Sequence, residues 1–278
     1  MRILGIHGIG NHRPDETPQD AASNLSAIWS RHLGPAVAAG TVVEVVYYAD
    51  LLRGPVQQGG AATTAQLTDE EALVVLETLA HHRPPAQPQP SLRVPQGRLT
   101  QLLRDQVAEV AESWACPARL VDRAMARWAK EVVAYLTPGP TREAVQERLH
   151  AALDRHQPDV LIAHSLGSVV AYETLHREDA PSVALWLTLG SPLALRGVVF
   201  DRLVPAPVDG RGSRPPAAGR WANVADPGDL IAIPAKGISQ RFRGVESDEE
   251  CVINRLDFHS ASRYLASGAV ARLLGTVR

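Results

Sequence analysis

Cysteine is almost missing from this sequence: there are two, Cys116 and Cys251, in 278 residues. They lie far apart and in no metal-ligand spacing. A disulfide framework is thereby excluded, and both are read as free thiols with no metal between them. Aromatic residues are sparse at 5%, which argues against a surface that stacks nucleic-acid bases. Charge of one sign is not in excess either. A formal net charge of −2 gives no electrostatic reason to expect nucleic acid or an anionic membrane as a partner. No run of about 18 apolar residues exists to form a transmembrane segment. The opening stretch Met1–His7 is too short an apolar run for a secretory leader. These absences point to a cytoplasmic location. Internal repeats are also lacking.

What is present is a hydrophobic fraction of 45%, enough for a full-sized core in one large domain with an insertion or in two smaller domains. Strand-like runs cover 2–6, 41–48, 159–163, 183–189, 221–225 and 241–245; most are nearly all apolar, as strands buried on both faces are. Helical patterns alternate with them over 19–33, 141–156, 166–176 and 261–274. This alternation predicts an α/β fold, a mainly parallel sheet with helices on both faces. The middle is different. Thr68-Asp69-Glu70-Glu71 is a capping box opening a helix with Leu73, Leu76, Leu79 and Ala80 on one face. A proline-rich connector over 83–97 follows, then helical stripes at 99–115 and 117–136, with Pro117 placed for a first turn. The expected organisation is therefore a core of 1–49 and 138–278, interrupted at 50–137 by a helical insertion. The Pro- and Gly-rich stretch 204–219 reads as a mobile surface loop.

The stretch that carries chemistry is Leu161-Ile162-Ala163-His164-Ser165-Leu166-Gly167. A strand runs into a sharp turn at Ser165 and leaves as a helix. Small residues at 163 and 167 are needed because the turn brings strand and helix backbones close together. The first run ends in His7-Gly8-Ile9-Gly10, a glycine loop. With the two pieces in this order, the chain resembles the α/β-hydrolases, and its His-Gly-Ile-Gly loop and Ala-His-Ser-Leu-Gly turn are similar to those of small bacterial lipases and esterases. Ala163 stands where the usual pattern has glycine.

The resemblance covers about 190 residues and implies a nucleophile at Ser165, with backbone N–H groups of Ile9 and Leu166 as an oxyanion hole. It also implies the chain order Ser, then Asp or Glu, then His. Two histidines follow Ser165. His176 sits late in the next helix, pointing away, so His259, just before the last helix, is the expected base. For the acid, Asp229-Leu230-Ile231-Ala232 fits the family's pattern better than Asp226, which precedes Pro227-Gly228 as a turn residue; both stay open. Asp257 is expected to cap the last helix.

Other histidines read as structural: His164 packing beneath the turn, His7 bracing the glycine loop, His12 solvated, and His81-His82 complementing a helix end. The implied reaction is hydrolysis of a carboxylic ester through an acyl-enzyme, with no cofactor and no metal ion. The implied partner is a small-molecule acyl substrate of apolar character. Alternatives are a thioesterase, a macrocyclase or an acyltransferase using the same residues, or a binding protein on the same scaffold. The apolar stripes of the insertion would either form an acyl-binding lid or pack into the core.

Overall fold

In the computed structural model, residues 1–52, 63–82, 96–114, 116–234, 236–253 and 259–277 are described. Their elements run β1 (Arg2–Ile6), α1 (Pro18–Leu33), β2 (Val42–Val46), α2 (Asp69–Ala80), α3 (Gln96–Ser113), α4 (Ala118–Leu136), α5 (Pro140–His156), β3 (Val160–His164), α6 (Leu166–Leu175), β4 (Val183–Leu189), β5 (Gly212–Ser213), β6 (Ala218–Ala225), α7 (Gly237–Arg241), β7 (Phe242–Arg243), β8 (Ser247–Glu250), α8 (Ala261–Leu265) and α9 (Gly268–Leu274). Six strands form one sheet in the order β2-β1-β3-β4-β6-β8, and its pairings are parallel. The protein is thus an α/β fold, as the alternation of elements predicts.

Period-two alternation along the strands builds two cores, one on each face. Leu4, Ile6, Leu161, Ala163, Trp186 and Trp221 point to the face shared by α2 to α6. Ile3, Val43, Val45, Ile162, Leu187 and Val224 point to the opposite face, covered by α1, α8 and α9. Local signals place the helices. Thr17 caps α1 by accepting from Asp20 N–H, and Thr68 and Glu71 make the expected capping box at α2.

The insertion is not a separate body. Helices α2, α3 and α4 pack on one another. Leu103, Val107, Val110, Val121, Met125, Trp128 and Val132 belong to the same continuous cluster as the sheet residues. Trp128 is fully buried and donates its indole N–H to Thr78 Oγ1 at 3.1 Å. On α2 the buried face is Ala72, Val74, Val75, Leu76, Thr78 and Leu79, while Leu73 is exposed. Buried Glu173 of α6 ties the block down. It accepts from Tyr135 Oη of α4 at 2.6 Å, from Gln146 Nε2 of α5 at 2.7 Å and from two nitrogens of Arg142. A buried charge is tolerated only when its acceptors are filled in this way.

Four expectations are corrected by the fold. Residues 204–219 are not simply a surface loop: Gly212–Ser213 pairs with Phe242–Arg243 in a two-stranded sheet, and Ala217 is buried. The strand expected at 241–245 therefore serves that small sheet. The sixth strand of the main sheet is β8, Ser-Asp-Glu-Glu, which has no apolar residue. The last helix is two helices, because Ser267 starts a new one by capping Val270 N–H. Pro117 is the residue before α4 rather than part of its first turn. The connector expected over 83–97 lies outside the described residues as far as 95, and so does Asp257. Among the described residues no helix is long and apolar enough to cross a membrane.

Candidate active site

The chain runs from β1 outward to β2, then returns to place β3 on the other side of β1. Such a reversal opens a crevice at the carboxyl ends of the two diverging strands, where ligands of open α/β sheets bind. His7–Gly10 leaves the end of β1 there, and Ser165 follows the end of β3. Asp229 follows β6, and His259 lies between β8 and α8. The sheet thus delivers all of the sequence-predicted residues to one end.

Ser165 is the cap of α6 at φ 54°, ψ −130°, a left-handed conformation that costs a non-glycine residue about 1–3 kcal/mol. Three hydrogen bonds hold it. Ser165 N–H donates to Leu189 O at 3.0 Å, and the Ser165 carbonyl accepts from Ser168 N–H at 2.9 Å and Ser168 Oγ at 2.6 Å. Gly167 is required beside it: a Cβ there would lie 2.5 Å from His7 O and 2.7 Å from Ile6 O. Gly8 is required from the other side, because its Cβ would lie 2.4 Å from Ser165 Cβ.

Ser165 Oγ lies 2.6 Å from His259 Nε2, and His259 Nδ1 lies 2.9 and 2.8 Å from the two oxygens of Asp229. A carboxylate only accepts, so Nδ1 carries the ring proton and Nε2 is free to accept from the serine hydroxyl. Asp229 is fully buried and well provided with donors. Its Oδ1 accepts from Ile231 N–H at 2.9 Å and Ala232 N–H at 3.3 Å, and its Oδ2 from Tyr264 Oη at 2.7 Å. Asp226 does not reach the histidine in this arrangement. Its carboxylate instead accepts from Gly228 N–H at 2.8 Å and Ile253 N–H at 2.7 Å, tying the turn after β6 to the segment after β8.

The glycine loop is braced from within. Tyr48 N–H donates to His7 Nε2 at 3.1 Å, so the proton of the neutral ring must sit on Nδ1, which donates to Gly8 O at 2.8 Å. Burial holds the His7 pKa down at about 4, which keeps the ring in that neutral form. Its ring stacks on Tyr48 with centroids 4.3 Å apart. Asn11 Nδ2 adds a second donor to Gly8 O at 2.9 Å. Because the peptide is trans, pinning the Gly8 carbonyl turns Ile9 N–H the opposite way. Among the described residues this N–H has no acceptor. Leu166, as first residue of α6, likewise has no intrahelical acceptor for its N–H. From the insertion, Glu131 of α4 accepts Gly10 N–H at 3.0 and 3.2 Å through its two oxygens.

The remaining histidines depart from expectation in part. His164 is not merely beneath the turn: its ring lies 4.8 Å from that of His259, and burial pushes its pKa well below the usual range. The neighbouring His164 ring is therefore neutral beside His259. His82 does not complement its helix end as a cation. Burial lowers its pKa, and its Nε2 donates to Leu230 O at 3.1 Å, beside Asp229. His176 closes α6 with Nδ1 on Tyr172 O at 2.8 Å, and His12 is half-buried.

Sequence reasoning missed the contacts of Tyr264, Glu131 and His82. Their partners lie 35, 121 and 148 residues away, beyond the reach of any local pattern. Compared with known proteins, the chain matches no family model, no curated protein and no solved structure at a significant level.

Proposed function

We propose that the protein is a serine hydrolase of the α/β-hydrolase type, cleaving a carboxylic ester through an acyl-enzyme. One observation carries the reading: the unbroken hydrogen-bonded chain from Ser165 Oγ through His259 to Asp229. His259 Nε2 takes the hydroxyl proton as Oγ attacks the ester carbonyl, and Asp229 holds the imidazolium that forms. The N–H groups of Ile9 and Leu166 receive the negative charge on the carbonyl oxygen, each worth about 2.7–4 kcal/mol in comparable sites. His259 then returns the proton to the leaving alcohol. Water, deprotonated by the same histidine, attacks the acyl-enzyme and frees Ser165.

The acyl group in this reading is short. The stripes on α3 and α4 that would hold a long apolar chain are spent inside the protein core. The test is covalent labelling with a fluorophosphonate probe together with turnover of p-nitrophenyl esters. Ser165→Ala should abolish labelling and lower turnover by a factor of about 10⁴. Equal labelling of the variant and the parent, or no labelling and no turnover in either, would overturn the assignment.

A further inference from the structure

We propose that Tyr264 is a positioning residue of this site: its hydroxyl, held between Asp226 N–H and Asp229 Oδ2, aims the Asp229 carboxylate at His259 and sets how tightly the Asp229–His259 pair holds a proton. The inference rests on the serine hydrolase reading above.

The hydroxyl has one proton to give and one direction to give it. Asp226 N–H donates to Tyr264 Oη at 2.8 Å, so the oxygen's acceptor role is filled by the backbone. Its proton must therefore go to Asp229 Oδ2, 2.7 Å away. Tyr264 is fully buried, and burial followed by the nearby Asp229 carboxylate raises its pKa, so the proton stays on the phenol. The ring is closely packed on both sides. A Cβ on Gly190 would come within 2.9 Å of it, and it also lies against His164 with centroids 6.0 Å apart. Because Oδ1 is fixed by Ile231 and Ala232 N–H and Oδ2 by Tyr264, the carboxylate plane is locked toward His259 Nδ1.

The electrostatic consequence has a definite sign. When His259 is neutral the Asp229–His259 pair carries one negative charge; when His259 is protonated the pair carries none. A donor on Asp229 stabilises the anionic state more than the neutral one and so lowers the proton affinity of the pair as a unit. Removing it raises that affinity. Among the described residues, the other titratable groups facing the pair are His164 from β3, His82 from the end of α2, Asp226 from the turn after β6 and the Ser165 hydroxyl. These remain unchanged in a comparison of parent and variant.

The experiment is the pH dependence of fluorophosphonate labelling rate and of kcat/KM for an ester, in the parent and in Tyr264→Phe. Phenylalanine keeps the ring and deletes only the hydroxyl. The acid limb should move to higher pH by about half a unit or more, with a lower plateau from the loosened carboxylate. Site-specific 3-fluorotyrosine at 264, a stronger donor, should move the limb the other way; it also serves if the Phe variant fails to fold. Acid limbs that superimpose in parent and variants, with Tm lowered or not, would overturn the proposal and leave Tyr264 a packing residue. A parent that does not label at Ser165 would instead bring down the hydrolase reading itself.

Discussion

Replacing Gly8 by alanine adds one methyl group at the tightest point of the site. It would stand 2.4 Å from Ser165 Cβ, 2.8 Å from His164 Nδ1 and 3.0 Å from Ser165 Oγ. None of these neighbours is the free end of a flexible chain. Ser165 is held by Leu189 O and Ser168, and His164 is wedged against His259. Ordinary carbon contacts begin at about 3.5 Å, so the glycine loop must retreat by about 1 Å. His7 and Asn11 grip the Gly8 carbonyl, so the retreat carries the whole peptide with it, Ile9 N–H included. Misplacing one oxyanion donor costs about 2.7–4 kcal/mol, which is a factor of about 10²–10³ in kcat. Because the ground-state ester gains little from that donor, KM should change little. Steady-state kinetics on p-nitrophenyl acetate, with Tm as the control for folding, makes the measurement. A folded Gly8→Ala variant with kcat within threefold of the parent would refute the assignment of Ile9 N–H and the reason given for glycine at position 8.

Asp229→Asn should lower kcat by about 10⁴, whereas Asp226→Asn should chiefly cost stability, about 1–3 kcal/mol, by loosening Gly228 and Ile253 N–H. The opposite ranking in kcat, with both variants folded, would exchange their roles. Stability should fall on acidification in urea titrations. His7 has a folded pKa of about 4 against an unfolded value of 6.5, so the unfolded chain binds the extra proton. That group alone removes about 2 kcal/mol between pH 7 and pH 5, and buried His164 adds in the same direction. A flat profile over this range would contradict the neutral, buried assignment of both rings. Activity against p-nitrophenyl esters should be highest for acetate or butyrate. Trp128→Ala should cost about 3–5 kcal/mol of stability and affect octanoate no more than acetate; a selective loss on octanoate would mean that the stripes do bind acyl chains.

The strands that face two cores were legible because burial on both sides selects apolar residues, as in the runs 160–163 and 185–187. For the same reason β8 was not. An edge strand needs only backbone pairing on one side, and its charged side chains protect the open edge. The turn at Ser165 was legible because its strain imposes small residues at fixed offsets. The choice of Asp229 over Asp226 rested on resemblance, with no local physics to separate two aspartates in one turn. What separates them in the structure is long-range: His259 and Tyr264 meet Asp229, while Ile253 N–H occupies Asp226. The two-helix ending was readable in hindsight from Ser267-Gly268, a capping pair inside a continuous apolar stripe.

The insertion between β2 and α5 contributes to the site through polar contacts more than through its apolar face. Glu131 of α4 fastens Gly10 N–H, one residue beyond the peptide that presents Ile9 N–H, and His82 at the end of α2 fastens Leu230 O, one residue beyond Asp229. The block thus grips one loop on each side of Ser165. These helices are anchored to α5 and α6 by the Glu173 network and to one another by Trp128 and Thr78. A mobile lid would have to break the Gly10 and Leu230 bonds each time it opened, disturbing the same loops that carry Ile9 and Asp229. A brace that stays closed keeps both loops in place, and the stripes of α3 and α4 accordingly belong to the core rather than to an exposed lining.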